Sequence, residues 1–194
     1  EEGHRFALRV MRRLRQAVDE WKAETGLGFA LYGTPAESLT NRFAKIDLAR
    51  FGSIENVTDK GYYTNSYHVD VREPISVFEK FDFESEFQDL STGGMISYVE
   101  IPNMTNNIPA VLTMIRYIYD HITYGEFNTK SDYCHVCGFD GEIKVNDDNE
   151  WECPQCHNKD RSKLTVIRRT CGYLGENFWN EGRTKEIKSR VLHI

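Results

Sequence analysis

Four of the five cysteines of this chain fall into two C-x2-C pairs, CHVC at 134–137 and CPQC at 153–156. Fifteen residues separate the two pairs, a spacing typical of zinc ribbons, in which a hairpin brings two pairs of thiolates into one tetrahedron. Iron is the alternative metal, because four thiolates suit either ion. The pattern predicts a structural Zn²⁺ bound by four residues: Cys134, Cys137, Cys153 and Cys156.

The charge of this cysteine segment argues against nucleic-acid binding. Residues 131–160 contain eight acidic residues and two lysines, and a divalent ion bound by four thiolates would add negative charge. The whole chain has a net charge of −6, whereas nucleic-acid-binding modules usually carry a basic face. Because four sulfurs leave no open coordination position, His135 and His157 are interpreted as surface residues. We expect a structural metal-binding module that holds the residues after it in place and has no nucleic-acid partner.

Cysteine usage and hydropathy indicate the compartment. Paired C-x2-C motifs are typical of a metal site in a reducing compartment rather than of a secreted disulfide framework. No apolar run approaches the roughly 20 residues that span a bilayer. We therefore expect a cytoplasmic protein with no membrane partner. The first residues, EEGHRFALRV, show neither an initiator Met nor a signal-peptide pattern. We expect the sequence to begin within a helix and to be the C-terminal piece of a longer protein.

Apolar periodicity predicts a mixture of helices and short strands. Helices are predicted over 4–24, 75–90 and 108–121 and from about residue 182, and the 108–121 helix is apolar enough to be expected in the core. Strands are predicted over 28–32 and 95–101, and irregular structure over 56–68. In the first helix, apolar residues spaced three and four apart form one stripe: Phe6, Val10, Leu14, Val18 and Trp21.

A possible anion site follows the apolar run at 28–32. Thr34 can cap a helix, Pro35 suits its first position, and Glu37 completes a capping box. Free amides at a helix N-terminus favour an anion, so the segment is either a phosphate site or a plain strand-to-helix turn. The candidate phosphate-binding residues are Gly33, Thr34, Pro35, Ala36, Glu37 and Ser38.

Gly172 lies 16 residues beyond the last cysteine of the cluster, within RRTCGYLGENFWNEG at 168–182. A loop glycine most often serves because it adopts positive φ without steric cost. Here the surrounding motif resembles the C-terminus of the anaerobic (class III) ribonucleoside-triphosphate reductases, in which such a glycine stores a radical. The resemblance continues upstream in three stretches: LYGTPAESL at 31–39, VTDKGYYTNSYH at 57–68 and STGGMISYVEIPN at 91–103.

The resemblance implies an α/β fold in three parts. Residues 1–130 would be the C-terminal part of a ten-stranded α/β barrel of the glycyl-radical type. Residues 131–160 would be the zinc ribbon, and residues 161–194 the radical loop and terminal helix. The resemblance also favours the phosphate interpretation of the segment 33–38, because the family uses such a loop near substrate phosphates.

The resemblance further implies radical chemistry at Gly172, with Cys171 and Tyr173 as its neighbours. A radical S-adenosylmethionine activase with a four-iron four-sulfur cluster would generate the glycyl radical. The radical would oxidise a barrel cysteine to a thiyl, which takes hydrogen from the ribose of a ribonucleoside triphosphate, with formate as reductant. ATP binding and homodimerisation of the full-length enzyme are further family expectations.

The cysteine count sets this chain apart from a whole reductase. The family's thiyl-forming cysteine lies on another loop, far upstream, and the cysteine beyond the cluster, Cys171, directly precedes Gly172. We therefore expect this chain to be inactive alone. Two alternatives stay open: a stand-alone glycyl-radical subunit that complements another chain, and a non-catalytic zinc-ribbon module that binds nucleic acid or protein.

Overall fold

The computed structural model describes residues 2–34, 39–170, 173–176 and 179–194. This part of the chain contains five α-helices: α1 (Glu2–Thr25), α2 (Leu39–Phe51), α3 (Val77–Leu90), α4 (Ile108–His121) and α5 (Glu181–Ser189). It also contains nine short strands: β1 (Ser97–Glu100), β2 (Gly125–Asn128), β3 (Asp132–Cys134), β4 (Asp140–Gly141), β5 (Lys144–Val145), β6 (Trp151–Glu152), β7 (Leu164–Thr165), β8 (Ile167–Thr170) and β9 (Tyr173–Glu176).

A parallel strand–helix–strand unit forms the centre of the N-terminal part. Strands β1 and β2 pair in parallel from Ser97 opposite Gly125 to Glu100 opposite Asn128, and α4 connects them. All four residues of β1 are buried, as is typical of a parallel strand covered on both faces. Helix α3 packs on this unit through a shared apolar cluster: Val77, Phe81, Val99, Ile101, Met114 and Ile122. The predicted strand over 95–101 and helices over 75–90 and 108–121 are confirmed.

Helix α1 forms where the sequence predicts it, but its buried face differs from the predicted stripe. Leu8 and Met11 are buried in a cluster with Phe87 of α3 and Met95. Among the predicted stripe residues only Val18 is buried, and the other four are between 42% and 59% exposed: Phe6, Val10, Leu14 and Trp21. The helix therefore carries two apolar faces, and the second one packs against α3.

Helix α4 is buried along one face only. Met114 is its one fully buried residue. Four apolar side chains at spacings of four, three and four form an exposed stripe on the other side: Ile108, Leu112, Ile115 and Tyr119. The expectation that this helix lies in the core thus holds for one face and is wrong for the other.

The apolar run at 28–32 forms no strand. Tyr32 makes a single parallel bridge to Gly94, the Gly93 N–H donates to the Leu31 carbonyl oxygen over 2.6 Å, and the Gly33 N–H donates to the Gly94 carbonyl oxygen over 2.9 Å. The segment is held by these few bonds to the turn at 93–94, so the prediction of a strand is wrong. The irregular structure predicted over 56–68 is confirmed.

The cysteine segment folds as two small antiparallel sheets. Strand β3 lies between β4 and β7, and β5 pairs with β6. The pairing with β7 extends the sheet of the ribbon past residue 160 to Thr165. Its apolar cluster combines cysteines with residues from the strands, from the segments between them and from α5: Cys134, Ile143, Trp151, Cys153, Leu164, Val166 and Ile187.

The last described residues place a hairpin and a short helix beside the ribbon. Strands β8 and β9 pair antiparallel, with Ile167 opposite Glu176 and Thr170 opposite Tyr173. Helix α5 follows after an Asn180 cap, whose side-chain oxygen accepts from the Arg183 N–H. The terminal helix predicted from about residue 182 is confirmed. None of the described helices combines the length and apolar character that crossing a membrane requires.

Candidate metal centre and adjoining hairpin

The two C-x2-C pairs form turns of the same construction. The Gly138 N–H donates to the Cys134 carbonyl oxygen over 2.9 Å, and the His157 N–H donates to the Cys153 carbonyl oxygen over 2.9 Å. The donor residue has positive φ in both turns, 75° at Gly138 and 60° at His157. His135 and His157 are exposed, as the sequence predicts, and the Nδ1 of His157 lies 2.6 Å from the Glu152 carboxylate.

The four sulfurs converge on one point. All four Sγ atoms lie within 4.8 Å of one another, and the Cys134–Cys156 and Cys137–Cys153 pairs are each 3.7 Å apart. A disulfide requires about 2.05 Å between its sulfurs, whereas a tetrahedron with Zn–S bonds of about 2.3 Å has edges of roughly 3.8 Å. The donor set therefore fits a closed tetrathiolate site, which suits Zn²⁺ and also iron.

The closeness of the four thiols opposes their joint ionisation. Burial opposes ionisation of the Cys134 thiol, but the N–H groups of Cys137 and Val136 outweigh it and lower its pKa to about 7. Burial, with hydrogen bonds to the other thiols, raises the pKa of Cys137 to about 12. A divalent cation removes this conflict because it favours the thiolate at every ligand.

A buried ion pair between Arg168 and Asp132 joins the ribbon to the hairpin. Arg168 of β8 directs both Nη atoms at the carboxylate of Asp132 on β3, with Nη2 2.6 Å from Oδ2. The same carboxylate accepts the N–H groups of Ile143 over 2.8 Å and Ile167 over 3.2 Å. Both charged side chains are almost completely buried, and this bidentate, hydrogen-bonded geometry is what a buried ion pair needs. The ribbon thereby fixes the start of β8.

The next residue of β8 faces the opposite way. The Nη1 of Arg169 lies 2.5 Å from the Glu126 carboxylate on β2, because successive side chains of a strand point to opposite faces. Strand β8 is thus held between the ribbon and the parallel sheet. Cys171 and Gly172 follow β8 and lie outside the described residues, and Tyr173 is described through its backbone pairing with Thr170.

A model of the anaerobic ribonucleoside-triphosphate reductase family matches residues 1–193. The chain belongs to this family. Curated relatives of that name include the protein of Escherichia coli K12, 46% identical over 188 residues, and that of Enterobacteria phage T4, 41% identical over 194 residues. These alignments cover 95% and 98% of this chain but 26% and 32% of the two relatives. The family predicted from the sequence is confirmed, and the chain spans about a quarter to a third of the length of these relatives.

Solved anaerobic reductase structures share the fold of this chain. One anaerobic ribonucleotide reductase superposes with a TM-score of 0.73 at 23% identity and covers 99% of this chain and 29% of its own. The enzyme from Thermotoga maritima, crystallised in complex with dATP and CTP, gives a TM-score of 0.66 at 21% identity and covers 97% and 28%. The mixed helix and strand arrangement is therefore that of the anaerobic reductases.

The structure describes only Gly33 and Thr34 of the candidate phosphate-binding segment 33–38. A Cβ atom on Gly33 would lie 3.1 Å from the side chains of Met95 and Tyr67, so close packing accounts for the glycine without a ligand. The Thr34 carbonyl oxygen accepts from the Ser66 hydroxyl over 2.7 Å. The phosphate interpretation stays a prediction, because its remaining residues lie outside the described part of the chain: Pro35, Ala36, Glu37 and Ser38.

A buried charged cluster around α5 was not predicted from the sequence. The Arg190 guanidinium contacts Glu186 of α5 and Glu100 of β1, and Arg183 also pairs with Glu186. Burial opposes ionisation of the Glu186 carboxyl, but Arg190 and Arg183 outweigh it, so its pKa is lowered. Two sequence signals point to this cluster: the i, i+4 pair Glu186 and Arg190, and a carboxylate within the otherwise apolar run from Tyr98 to Ile101.

Proposed function

We propose that this chain is the radical-storing C-terminal part of an anaerobic ribonucleoside-triphosphate reductase, with Gly172 as the radical site. The observation that carries this proposal is the family match, which runs through residues 1–193 and so includes the motif around Gly172. Residues 1–130 would belong to the catalytic barrel, 131–160 to the ribbon and 161–194 to the radical-bearing part. The cysteine cluster supports a structural Zn²⁺ in the ribbon.

The contacts around β8 support this role for Gly172. A glycyl radical can react only with a group held close to its Cα, and displacement by about 1 Å can cost on the order of 100-fold in rate. Arg168 and Arg169 fix β8 to the ribbon and to β2, respectively, four and three residues before Gly172. The metal would act through this architecture, because four thiolates leave it no open coordination position for chemistry.

In the proposed reaction Gly172 loses one α-hydrogen atom to a radical S-adenosylmethionine activase, and its Cα becomes a planar radical conjugated with both peptide groups. This radical takes a hydrogen atom from a cysteine thiol of the barrel, and the thiyl so formed takes one from the ribose of a ribonucleoside triphosphate. The 2′-hydroxyl takes up a proton and leaves as water, and formate supplies two electrons and one proton to the ribose as it is oxidised to carbon dioxide. The cysteine thiol then returns its hydrogen atom to the ribose, and the radical passes back to Gly172. The thiyl-forming cysteine would lie outside this chain, since four of its cysteines form the cluster and the fifth is Cys171.

Electron paramagnetic resonance tests the radical site directly. The reductase that carries this sequence is incubated without oxygen with its activase, a reductant and S-adenosylmethionine. We expect a doublet, because the unpaired electron couples to the one α-hydrogen that remains on Gly172. The doublet should disappear in Gly172→Ala, while the metal content stays at that of the unaltered protein.

Gly175→Ala is the matched control for this experiment. A Cβ atom on Gly175 would lie 3.5 Å from the Trp179 ring, an ordinary contact, so this glycine, three residues after Gly172 in the sequence, should tolerate Ala and keep the doublet. A doublet of normal intensity in Gly172→Ala would refute the assignment. Its absence from the unaltered reductase would refute the proposed function.

A separate radical-bearing subunit that complements another chain would be a second form of the same function. In that form, adding it to a reductase whose own Gly172 equivalent has been replaced would restore ribonucleotide reduction. A failure to restore activity, with an intact doublet on this chain, would exclude the separate subunit.

A further inference from the structure

Arg190 occupies an unusual position for a charged side chain. It caps the C-terminal end of α5, 18 residues after Gly172 in the sequence, and its side chain has no exposed surface. Removing a guanidinium from water is costly unless its charge and donors are satisfied. The surroundings of Arg190 must therefore supply several acceptors.

The guanidinium joins three separate elements. Its Nε and Nη2 donate to the two carboxylate oxygens of Glu186 on α5, over 2.9 and 3.2 Å. Its Nη1 donates to the Glu100 carboxylate on β1 over 2.8 Å and to the Arg169 carbonyl oxygen on β8 over 2.8 Å. Helix α5, the parallel sheet and the hairpin thus meet at one side chain.

The contact with β8 is the informative one. Two carboxylates already balance the charge of Arg190 and Arg183, so a backbone carbonyl is not required for neutrality. The Arg169 carbonyl lies three residues before Gly172, and the side chain of the same residue is held by Glu126 on β2. Among the described strands β9 pairs only with β8, so the placement of the hairpin against the sheet depends on the contacts of β8.

We propose that Arg190 is a positioning residue, which sets the place of the strand that leads to Gly172 relative to the parallel sheet. This inference rests on the proposed function of Gly172 as the radical site. Arg190 acts through the Arg169 carbonyl and the Glu100 carboxylate, and it does not itself touch substrate. A lysine cannot replace it, because a single ammonium lacks the planar fork that reaches three acceptors in different directions.

The test is the rate of ribonucleotide reduction per glycyl radical in the activated reductase, with the radical counted by electron paramagnetic resonance. In Arg190→Lys and Arg190→Ala we expect turnover per radical to fall about 10- to 100-fold, with the KM for the ribonucleoside triphosphate unchanged. A purely structural role would lower the number of radicals, the metal content and the melting temperature, while each radical formed would still turn over normally.

Lys80→Met is the matched control. Lys80 is also a buried cation, its side chain is 3% exposed, and it pairs with the buried carboxylate of Glu84. Lys80 and Arg190 both lie over the Tyr98 ring, 5.3 and 5.4 Å from its centroid, but the hydrogen bond of Lys80 goes to Glu84 of its own helix. Lys80→Met should reduce stability and radical yield without lowering turnover per radical.

Turnover per radical in these variants decides whether Arg190 is a positioning residue. Normal turnover per radical in Arg190→Lys and Arg190→Ala would overturn it, and so would an equal loss in Lys80→Met. If Arg190→Ala does not fold, Arg190→Lys decides alone, because it keeps the charge in the buried cluster. A missing doublet in the unaltered reductase would refute the proposed function itself, which separates that failure from a failure of the role of Arg190.

Discussion

The cysteine ribbon and the helical N-terminal part are organised by different means. The strands of the ribbon are two or three residues long, too short to be stable as isolated pairs, and its cluster is built around two buried cysteines. The N-terminal part has helices of 13 to 24 residues, yet α1 and α4 leave apolar stripes exposed.

The two regions therefore differ in where their folding information lies. In the ribbon, cysteine spacing brings four sulfurs together, and a metal bound there would convert that spacing into stability. In the helices, apolar periodicity specifies the helix, but the neighbours decide which face is buried. Breaking the ribbon should therefore leave the helices largely intact.

The largest expected effect comes from removing the metal. Zinc contributes about 10–16 kcal/mol to the folding of small zinc-dependent domains, so chelation should unfold the ribbon. We expect one metal ion per chain by elemental analysis, and chelation should shift the fluorescence of Trp151, which is buried in the ribbon cluster. The helical circular dichroism signal should stay close to its initial value, because α1 to α4 lie outside the ribbon.

Two cysteine variants provide the comparison for this experiment. Cys153→Ser removes a buried ligand and should abolish metal binding, whereas Cys171→Ser, which lies outside both C-x2-C pairs, should keep one ion per chain. Loss of the helical signal together with the ribbon would contradict the independence of the two regions. Unchanged fluorescence after complete metal removal would contradict the role of the metal in folding.

A smaller loss of stability is expected when the junction between the ribbon and the hairpin is broken. Asp132→Asn leaves the buried Arg168 without its charge partner, and breaking a buried pair in this way costs about 3–5 kcal/mol. Denaturation in urea should show this loss in the free energy of unfolding of the purified chain. The metal content should remain unchanged, since Asp132 is not a ligand.

Asp147→Asn applies the same chemical change to an exposed pair. The Asp147 side chain is fully exposed, 2.9 Å from Lys188, and Lys188 also donates to the Asn146 carbonyl oxygen. Exposed pairs contribute little to stability, so this variant should unfold like the original chain. Equal effects of the two substitutions would show that burial of the Asp132–Arg168 pair has no energetic consequence.

Local signals predict much of this fold. Helices α3 and α4 and strand β1 lie where periodicity places them, since these segments are long or strongly apolar. The run at 28–32 looks like a strand by composition, yet it makes only one bridge, to Gly94, because its partner is a turn rather than a strand. The buried face of α1 could not be predicted, since Leu8 and Met11 are as apolar as the stripe that stays exposed.

The candidate site likewise has one part that local sequence signals predict and one part that they do not. The clustering of the four cysteines follows from spacing alone, because C-x2-C pairs impose a local geometry that few other structures need. The contacts of Arg190 with Glu100 and the Arg169 carbonyl join residues 90 and 21 positions apart. No local pattern records such distant pairings, so the buried cluster emerges only when tertiary structure brings β1, β8 and α5 together.

The smallest expected effect concerns the chain end, where His193 joins the tail to β1. The His193 Nδ1 accepts the Glu100 N–H over 2.9 Å, and the His193 N–H donates to the Glu100 carbonyl oxygen over 2.8 Å. Burial, with the positive charges of Lys80 and Arg190, lowers the pKa of His193 from 6.5 to about 4, although Glu84 opposes the shift. The folded state therefore holds a neutral imidazole, as acceptance through Nδ1 requires.

This depressed pKa fixes the sign of the pH dependence. Between pH 6.5 and 4 the unfolded chain binds a proton at His193 and the folded chain does not, so stability is complete above pH 6.5 and declines as the pH falls toward 4. At about 1.4 kcal/mol per pKa unit, the loss is at most about 3 kcal/mol.

His193→Asn, whose Oδ1 can accept the same N–H without titrating, should remove this part of the decline in urea denaturation between pH 7 and 4.5. Parallel curves for the two proteins over this range would contradict a neutral, buried His193, because the lowered pKa values of the carboxylates Glu84 and Glu186 place their own effect below pH 4.5.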